Sequence, residues 1–258
     1  MSMRPCVLVF AGFDPSGGAG VGADAQAIAS VGSHALSVVT ALTVQDHNRV
    51  HEVIPVAPDV LLRQARALTA ACRIGAVKVG IPGSVENARA IAAAIAELRA
   101  GGAFVPVVLD PVLASGHGDS LARGNALDAL APLLPLATVL TPNGPEAAAL
   151  AAHFGNGDGD DAGALRALGC EHVLITGGHG TGDEIVNRWV GPTQRQHWNW
   201  PRLPGSYHGS GCTLASALAG LLAQDCPLPQ ALARAQAYTH AALAAAYTIG
   251  PGQRMPLR

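Results

Sequence analysis

The segment Cys6-Val7-Leu8-Val9-Phe10-Ala11-Gly12-Phe13-Asp14-Pro15-Ser16-Gly17-Gly18-Ala19-Gly20-Val21-Gly22-Ala23-Asp24 decides how the rest of the chain is read. Its first five residues are apolar without alternation, the pattern of a strand covered on both faces. Glycine-rich sequence follows, then alanine-rich sequence, so the strand passes through a loop into a helix expected over Ala23 to Val31. A loop at the carboxyl end of a buried strand is where ligands dock in doubly wound sheets.

Working outward, the same alternation recurs. Apolar runs at Leu36 to Leu42, Ala76 to Val79, Val105 to Leu109, Thr138 to Leu140 and His172 to Ile175 read as further strands. Helical stretches are expected at Pro58 to Cys72, Val85 to Ala100, Leu121 to Leu134, Pro145 to His153, Ala162 to Leu168, Cys212 to Ala223 and Pro229 to Thr248. Val186 to Val190 and Arg195 to Trp200, bent at Gly191-Pro192, read as a β-hairpin. The expectation is one α/β domain over residues 1–258, with a mostly parallel central sheet, helices on both faces and a small hairpin. The turn-rich Asn156 to Asp161 and the loop from Asp183 are too short for interdomain linkers.

Composition narrows the function classes. With 258 residues, 49% of them apolar, the chain can bury a sizeable core. Charged residues make up 13% and the formal net charge is −2, so no basic field exists to hold a nucleic acid or an anionic membrane, and neither is expected as a partner. The only lysine, Lys78, is followed by Val79, which excludes a Walker A loop. Five scattered cysteines without a C-x-x-C pair suggest neither a disulfide frame nor a zinc site. The first apolar run is too brief for a signal segment and no stretch approaches 18 apolar residues, so a cytoplasmic, reduced setting is expected.

Four segments carry candidate chemistry. In the glycine loop, Gly18, Gly20 and Ala23 fit a loose dinucleotide fingerprint, but no acid lies between Asp24 and Asp46 to hold a ribose. The alternative is a small ligand approached by main-chain N–H groups, with Asp24 accepting its hydrogen bonds; the plain reading is a glycine turn with Asp24 at a helix dipole. The second segment, Ser206-Tyr207-His208-Gly209-Ser210-Gly211-Cys212, opens a helix behind two glycines. Its unpaired N–H groups suit a transferring phosphoryl group, and the helix N-terminus is expected to pull the Cys212 thiol down toward a thiolate that serves as base or nucleophile. A lone cysteine is more commonly a small buried residue. The third, Thr141-Pro142-Asn143-Gly144-Pro145-Glu146, offers oxygen ligands near a hard cation, or simply a capping box. Asp110 before Pro111 is a second carboxylate at the sheet edge, or a turn residue. In the fourth, Thr40-Ala41-Leu42-Thr43-Val44-Gln45, Gln45 can read a heteroaromatic ring edge or be loop polarity.

Taken in order, Gly12-Phe13-Asp14-Pro15-Ser16-Gly17-Gly18-Ala19-Gly20, Thr40 to Gln45, Leu109-Asp110-Pro111-Val112, Thr141 to Glu146, Gly177-Gly178-His179 and His208-Gly209-Ser210-Gly211-Cys212 resemble the hydroxymethylpyrimidine/phosphomethylpyrimidine kinases of thiamine synthesis. The resemblance spans nearly the whole chain and implies a ribokinase-like fold. It implies transfer of the γ-phosphoryl of ATP to 4-amino-5-hydroxymethyl-2-methylpyrimidine, with a second transfer onto the monophosphate left open. By resemblance Cys212 is the base, and Gly209, Ser210 and Gly211 line the anion hole. Gly12, Ala19, Asp24, Thr43, Gln45, Ile81 and Val112 match the pyrimidine pocket. Asp110, Asn143, Thr176 and Gly178 lie along the nucleotide, and Glu146 with Asp110 near Mg2+. A homodimer is implied too. The chain departs from many relatives at Thr176 and Pro251, where they carry lysine. Alternatives are a pyridoxal or pyridoxine kinase of the same fold, and a non-catalytic pyrimidine-binding protein.

Overall fold

The computed structural model describes residues 3–102, 104–114, 118–119, 121, 124–155 and 160–258. The strands are β1 (Cys6–Phe13), β2 (His34–Gln45), β3 (Val50–Pro55), β4 (Ile74–Val79), β5 (Val107–Leu109), β6 (Val139–Leu140), β7 (His172–Ile175), β8 (Glu184–Val190) and β9 (Arg195–Pro201). The helices are α1 (Gly20–Ser30), α2 (Pro58–Ala71), α3 (Val85–Arg99), α4 (Ala126–Leu130), α5 (Gly144–Phe154), α6 (Asp161–Ala167), α7 (Ser210–Leu222) and α8 (Leu228–Ala244).

All the strands join one sheet in the order β3-β2-β1-β4-β5-β6-β7-β8-β9. Strands β2, β1, β4, β5, β6 and β7 run parallel, while β3, β8 and β9 attach antiparallel at the two edges. The chain moves outward from β1 to β2, then returns to place β4 on the other side of β1. That reversal is the topological switch point, and it aims the loops after β1 and β4 into a shared crevice.

Alternation within β1 divides the core. Val7, Val9 and Ala11 pack with residues of α1, α7 and α8, whereas Leu8 and Phe10 pack with α2, α3 and the α4 to α6 side. Both clusters are built mostly from Val, Leu, Ile and Ala, which explains why the central strands read as unbroken apolar runs.

Three expectations need correction. Strand β3 was not expected, because Val50-His51-Glu52-Val53-Ile54-Pro55 is an edge strand with largely open side chains and carries no apolar run. The helix expected over Leu121 to Leu134 is cut to α4, followed by a 3-10 turn at Leu134–Leu136, since Pro132 and Pro135 cannot sit inside a continuous helix; part of it, residues 122–123, lies outside the described residues, as does 156–159 of the Asn156 to Asp161 turn. Helix α8 stops at Ala244 rather than Thr248, where Tyr247 pairs instead with Met255.

Candidate active site

The carboxyl ends of the parallel strands open into one cavity of about 620 Å³. Gly12, Ala19, Thr43, Gln45, Ile81 and Val112 line it, as do Asp110, Asn143, Glu146, Thr176 and Gly178 and the turn Gly209, Ser210, Gly211 and Cys212. Glycine is required at two of these contacts. Gly20 has φ +58° and any Cβ there would collide with the Gly12 carbonyl, and Gly209 has φ +73° with its Cβ direction blocked by the Gly18 carbonyl. The β1 loop and the α7 turn therefore meet backbone to backbone.

Asp24 is the exception among the expected ligand contacts. It is fully buried in α1, and its carboxylate accepts from Lys78 Nζ at 2.9 and 3.0 Å and from Ser216 Oγ at 2.7 Å. It is not among the residues that line the cavity, and its carboxylate is engaged by Lys78 and Ser216. Burial alone would strip the Lys78 proton, but the charge of Asp24, with Cys212 and Asp110 adding to it, outweighs that and holds the ammonium above its ordinary range. Lys78 reaches the cavity floor as a locked cation.

Helix α7 begins without a side-chain cap. Gly209 supplies the left-handed N-cap, so the first-turn N–H groups of Ser210, Gly211 and Cys212 have no intrahelical partners. With the helix dipole they form a site for negatively charged oxygens. The expectation of a low-pKa thiol is overturned: burial pushes the Cys212 thiol up to about 12, the charges of Asp24 and Asp110 push the same way, and Lys78 and the Gly20 N–H offset only part of it. Burial and the two carboxylates thus favour the protonated thiol in the free site. Two glycines and a helix start signalled exposure, but the pair of carboxylates beneath the turn comes from distant segments.

Asp110 follows β5 and is buried, with Oδ2 lacking any hydrogen-bond partner among the described residues. Burial pushes its carboxyl up to about 6 against the opposing pull of Lys78. Asn143 and Glu146 do form the capping box of α5: Asn143 Oδ1 accepts from the Glu146 N–H at 2.9 Å, and Glu146 Oε2 accepts from the Asn143 N–H at 2.8 Å. Both side chains still face the cavity, and burial together with the charge of Asp110 pushes Glu146 up to about 7. Two desolvated carboxylates that repel each other, one with an unpartnered oxygen, fit a hard divalent cation that completes its shell with phosphate oxygens and water. Among the described residues no cluster of three or more metal-ligating side chains exists.

The far wall was not anticipated from the sequence. Ile185 and Trp200 from the hairpin, and Gln236 and His240 from α8, close the cavity there. Asn187 anchors this wall, donating to Gln236 Oε1 at 2.9 Å and accepting from the Gly177 N–H at 2.9 Å, while Trp200 stacks on His240 with centroids 5.1 Å apart. The aromatic spacing in Trp198-Asn199-Trp200 was the available signal, since alternate positions of a strand share a face. Asp14 and His208 were quoted only as parts of motifs. Asp14 is buried, accepts from the N–H groups of Ser16 and Ala19 at 2.8 Å each, and meets His208 Nε2 at 2.8 Å.

A family model described as phosphomethylpyrimidine kinase matches residues 14–257. A hydroxymethylpyrimidine/phosphomethylpyrimidine kinase of Streptomyces coelicolor is 38% identical over 254 residues, which cover 96% of this chain and 92% of that protein. Among solved structures, a phosphomethylpyrimidine kinase of Clostridium difficile 630 superposes with a TM-score of 0.76 at 30% identity, covering 92% of this chain and 98% of the other. An ADP complex of Bacillus subtilis pyridoxal kinase superposes with a TM-score of 0.86 at 27% identity, covering 98% and 97%.

Proposed function

The chain belongs to the phosphomethylpyrimidine kinase family and has its ribokinase-like fold, and from that premise we propose that it transfers the γ-phosphoryl group of ATP to the hydroxymethyl oxygen of 4-amino-5-hydroxymethyl-2-methylpyrimidine in thiamine biosynthesis. The observation that carries this reading is the uncapped N-terminus of α7 opening, with Cys212, into the same cavity as Gln45 and Thr43. The new bond joins the alcohol oxygen to the γ-phosphorus, the bond to the β-phosphate oxygen breaks, and ADP and a phosphate ester leave.

Phosphoryl transfer asks for alignment and charge neutralisation more than for covalent work by the protein. The amide and hydroxyl of Gln45 and Thr43 read the ring edge, with Gly12 and Ile81 on its flank. The N–H groups of Ser210, Gly211 and Cys212 receive the equatorial oxygens of the transferring group. Asp110 and Glu146 would hold Mg2+, which when bound neutralises phosphate charge and lowers the local cost of negative charge on Cys212. The Cys212 sulfur would hold the alcohol oxygen in line, and it can act as base only as a thiolate: with the carboxylate charge offset it first gives up its own proton to solvent, and the thiolate then takes the proton of the alcohol as the oxygen attacks the γ-phosphorus. Asn143, Thr176 and Gly178 bound the phosphate path, and Trp200 with His240 offers a flat surface to the base. With threonine at 176 and proline at 251, and with its only lysine locked to Asp24, the chain brings no flexible lysine to the phosphates, so the first transfer is the reading put forward; the second, onto an anionic monophosphate, stays an open question for assay.

Phe13, Leu42 and Ile54 form one row across β1, β2 and β3 and are 43%, 49% and 44% exposed, which supports a homodimer through this face, checked by light scattering. No helix of the described residues is long and apolar enough to cross a membrane, in keeping with work in the cytoplasm.

The test is a pair of ATP-consumption assays with the pyrimidine alcohol and with pyridoxal, the second reading being favoured by the larger overlap with the pyridoxal kinase. Turnover of pyridoxal alone would overturn the substrate assignment. Cys212→Ser is expected to lower turnover by about 100-fold or more while pyrimidine binding changes less than about tenfold, because the group acts mainly in the transition state. Unchanged turnover would remove Cys212 from the chemistry.

A further inference from the structure

Arg258 lies behind the cavity wall, where the β1 loop meets the α7 turn. Its Nη2 donates to the Gly18 carbonyl at 2.6 Å, to the Gly209 carbonyl at 3.3 Å and to the His208 carbonyl at 3.5 Å, and its Nε donates to Thr213 Oγ1 at 2.8 Å. One planar cation thus bridges carbonyls from both segments at once. The same two segments are joined a second time by His208 Nε2 and Asp14 Oδ2 at 2.8 Å. Asp14 in turn fixes the Ser16 and Ala19 N–H groups, and Met255 packs beside Gly18.

The two segments do different jobs. Ala19 and Gly20 border the cavity on the proposed pyrimidine side, whereas Gly209, Ser210 and Gly211 border it where the phosphoryl group would arrive. Their carbonyl dipoles converge, which in the absence of a cation favours separation. Nη2 meets the three carbonyls while Nε holds the Thr213 hydroxyl of α7, and a lysine ammonium, with one nitrogen on a single stem, cannot hold the carbonyls and Thr213 at the same time. We propose that Arg258, acting with the His208 to Asp14 link, is a positioning clamp that fixes the distance between the alcohol-binding loop and the phosphoryl-binding turn without touching either substrate. The proposal rests on the functional reading above. Misplacement of reacting groups by about 1 Å can lower a rate by about 100-fold, so the effect belongs in kcat.

The experiment compares the full-length parent with Arg258→Ala and Arg258→Lys, using whichever of the pyrimidine alcohol and pyridoxal the parent phosphorylates. For both variants kcat is expected to fall about 10- to 100-fold while KM for ATP and for the alcohol stays within about threefold. Millimolar guanidinium ion, below denaturing levels, is expected to restore part of the loss in Arg258→Ala and none in Arg258→Lys, where the ammonium occupies the site. A kcat within about threefold of the parent in Arg258→Lys overturns the clamp, as does a loss that tracks only the folded fraction. Should Arg258→Ala fail to fold, Arg258→Lys decides alone. Should the parent use neither alcohol, the functional reading fails and amide hydrogen exchange decides the clamp: residues 14–20 and 208–212 must lose protection together in Arg258→Lys with the central strands unchanged, and unaltered exchange in either segment overturns it.

Discussion

Asp24 and Asp110 face Lys78 from different elements, and the contrast between their surroundings separates structure from chemistry at this site. On the α1 side every strong acceptor is engaged: Asp24 receives Lys78 and Ser216 at hydrogen-bond distance and is sealed from solvent. At the end of β5, Asp110 is almost as deeply buried, yet one of its oxygens has no partner among the described residues and burial has pushed its carboxyl up to about 6. A buried carboxylate with a full set of partners holds a fold in register. One left short of partners costs stability, and that cost is tolerated where a ligand or ion can take the spare oxygen.

The sharpest way to break this contrast acts on folding. Lys78→Met would leave the Asp24 carboxylate buried with only Ser216 as donor, and removing one member of a buried ion pair typically costs about 3–5 kcal/mol. Urea unfolding should register a loss of that size, and the double variant Lys78→Met/Asp24→Leu should recover most of it, because an apolar pair strands no charge. A single variant within about 1 kcal/mol of the parent would mean that Asp24 is not the committed group described.

Asp110→Asn probes the other half of the contrast and should move the opposite quantity. Turnover is expected to fall about 100-fold, equivalent to about 2.7 kcal/mol of transition-state stabilisation. The thermal midpoint should hold or rise, since the substitution removes a desolvated charge with an unmet oxygen. Steady-state rates and a melting curve on the same sample check both. A variant that melts early while keeping its activity would place Asp110 with Asp24 among the structural groups.

This contrast was only half legible in the chain. The parallel sheet was readable because both faces of β1, β4, β5, β6 and β7 are covered, so these strands carry apolar runs that no surface strand could carry. Edge strand β3 escaped because its exposure removes that signature. At the site, local order was legible: Gly209-Ser210-Gly211-Cys212 announced an open helix start, and Asn143 and Glu146 announced a capping box. What sequence order hides is who stands opposite. The pairing of Asp24 with Lys78 and Ser216 joins α1, β4 and α7, separated by 54 and 192 residues, and it commits the Asp24 carboxylate to protein partners, while burial first, and the charges of Asp24 and Asp110 after it, push the Cys212 thiol up. A helix N-terminus lowers a thiol pKa when water or cations surround it; here burial, with the charges of Asp24 and Asp110 adding to it, reverses the sign.

Asn143 sits between the two extremes and offers the smallest but most discriminating effect. Its carbonyl oxygen is committed to the Glu146 N–H, while the side chain also borders the proposed phosphate path. Loss of the cap in Asn143→Ala should cost about 1 kcal/mol in chemical denaturation. Asn143→Asp keeps an equally good cap, so stability should hold, but it adds negative charge beside the phosphates and to a cavity already holding Asp110 and Glu146; KM for ATP is then expected to rise severalfold, measured from initial rates. If Asn143→Asp preserves both stability and KM, the side chain is a cap and nothing more, and the boundary between committed and available groups runs through Glu146 instead.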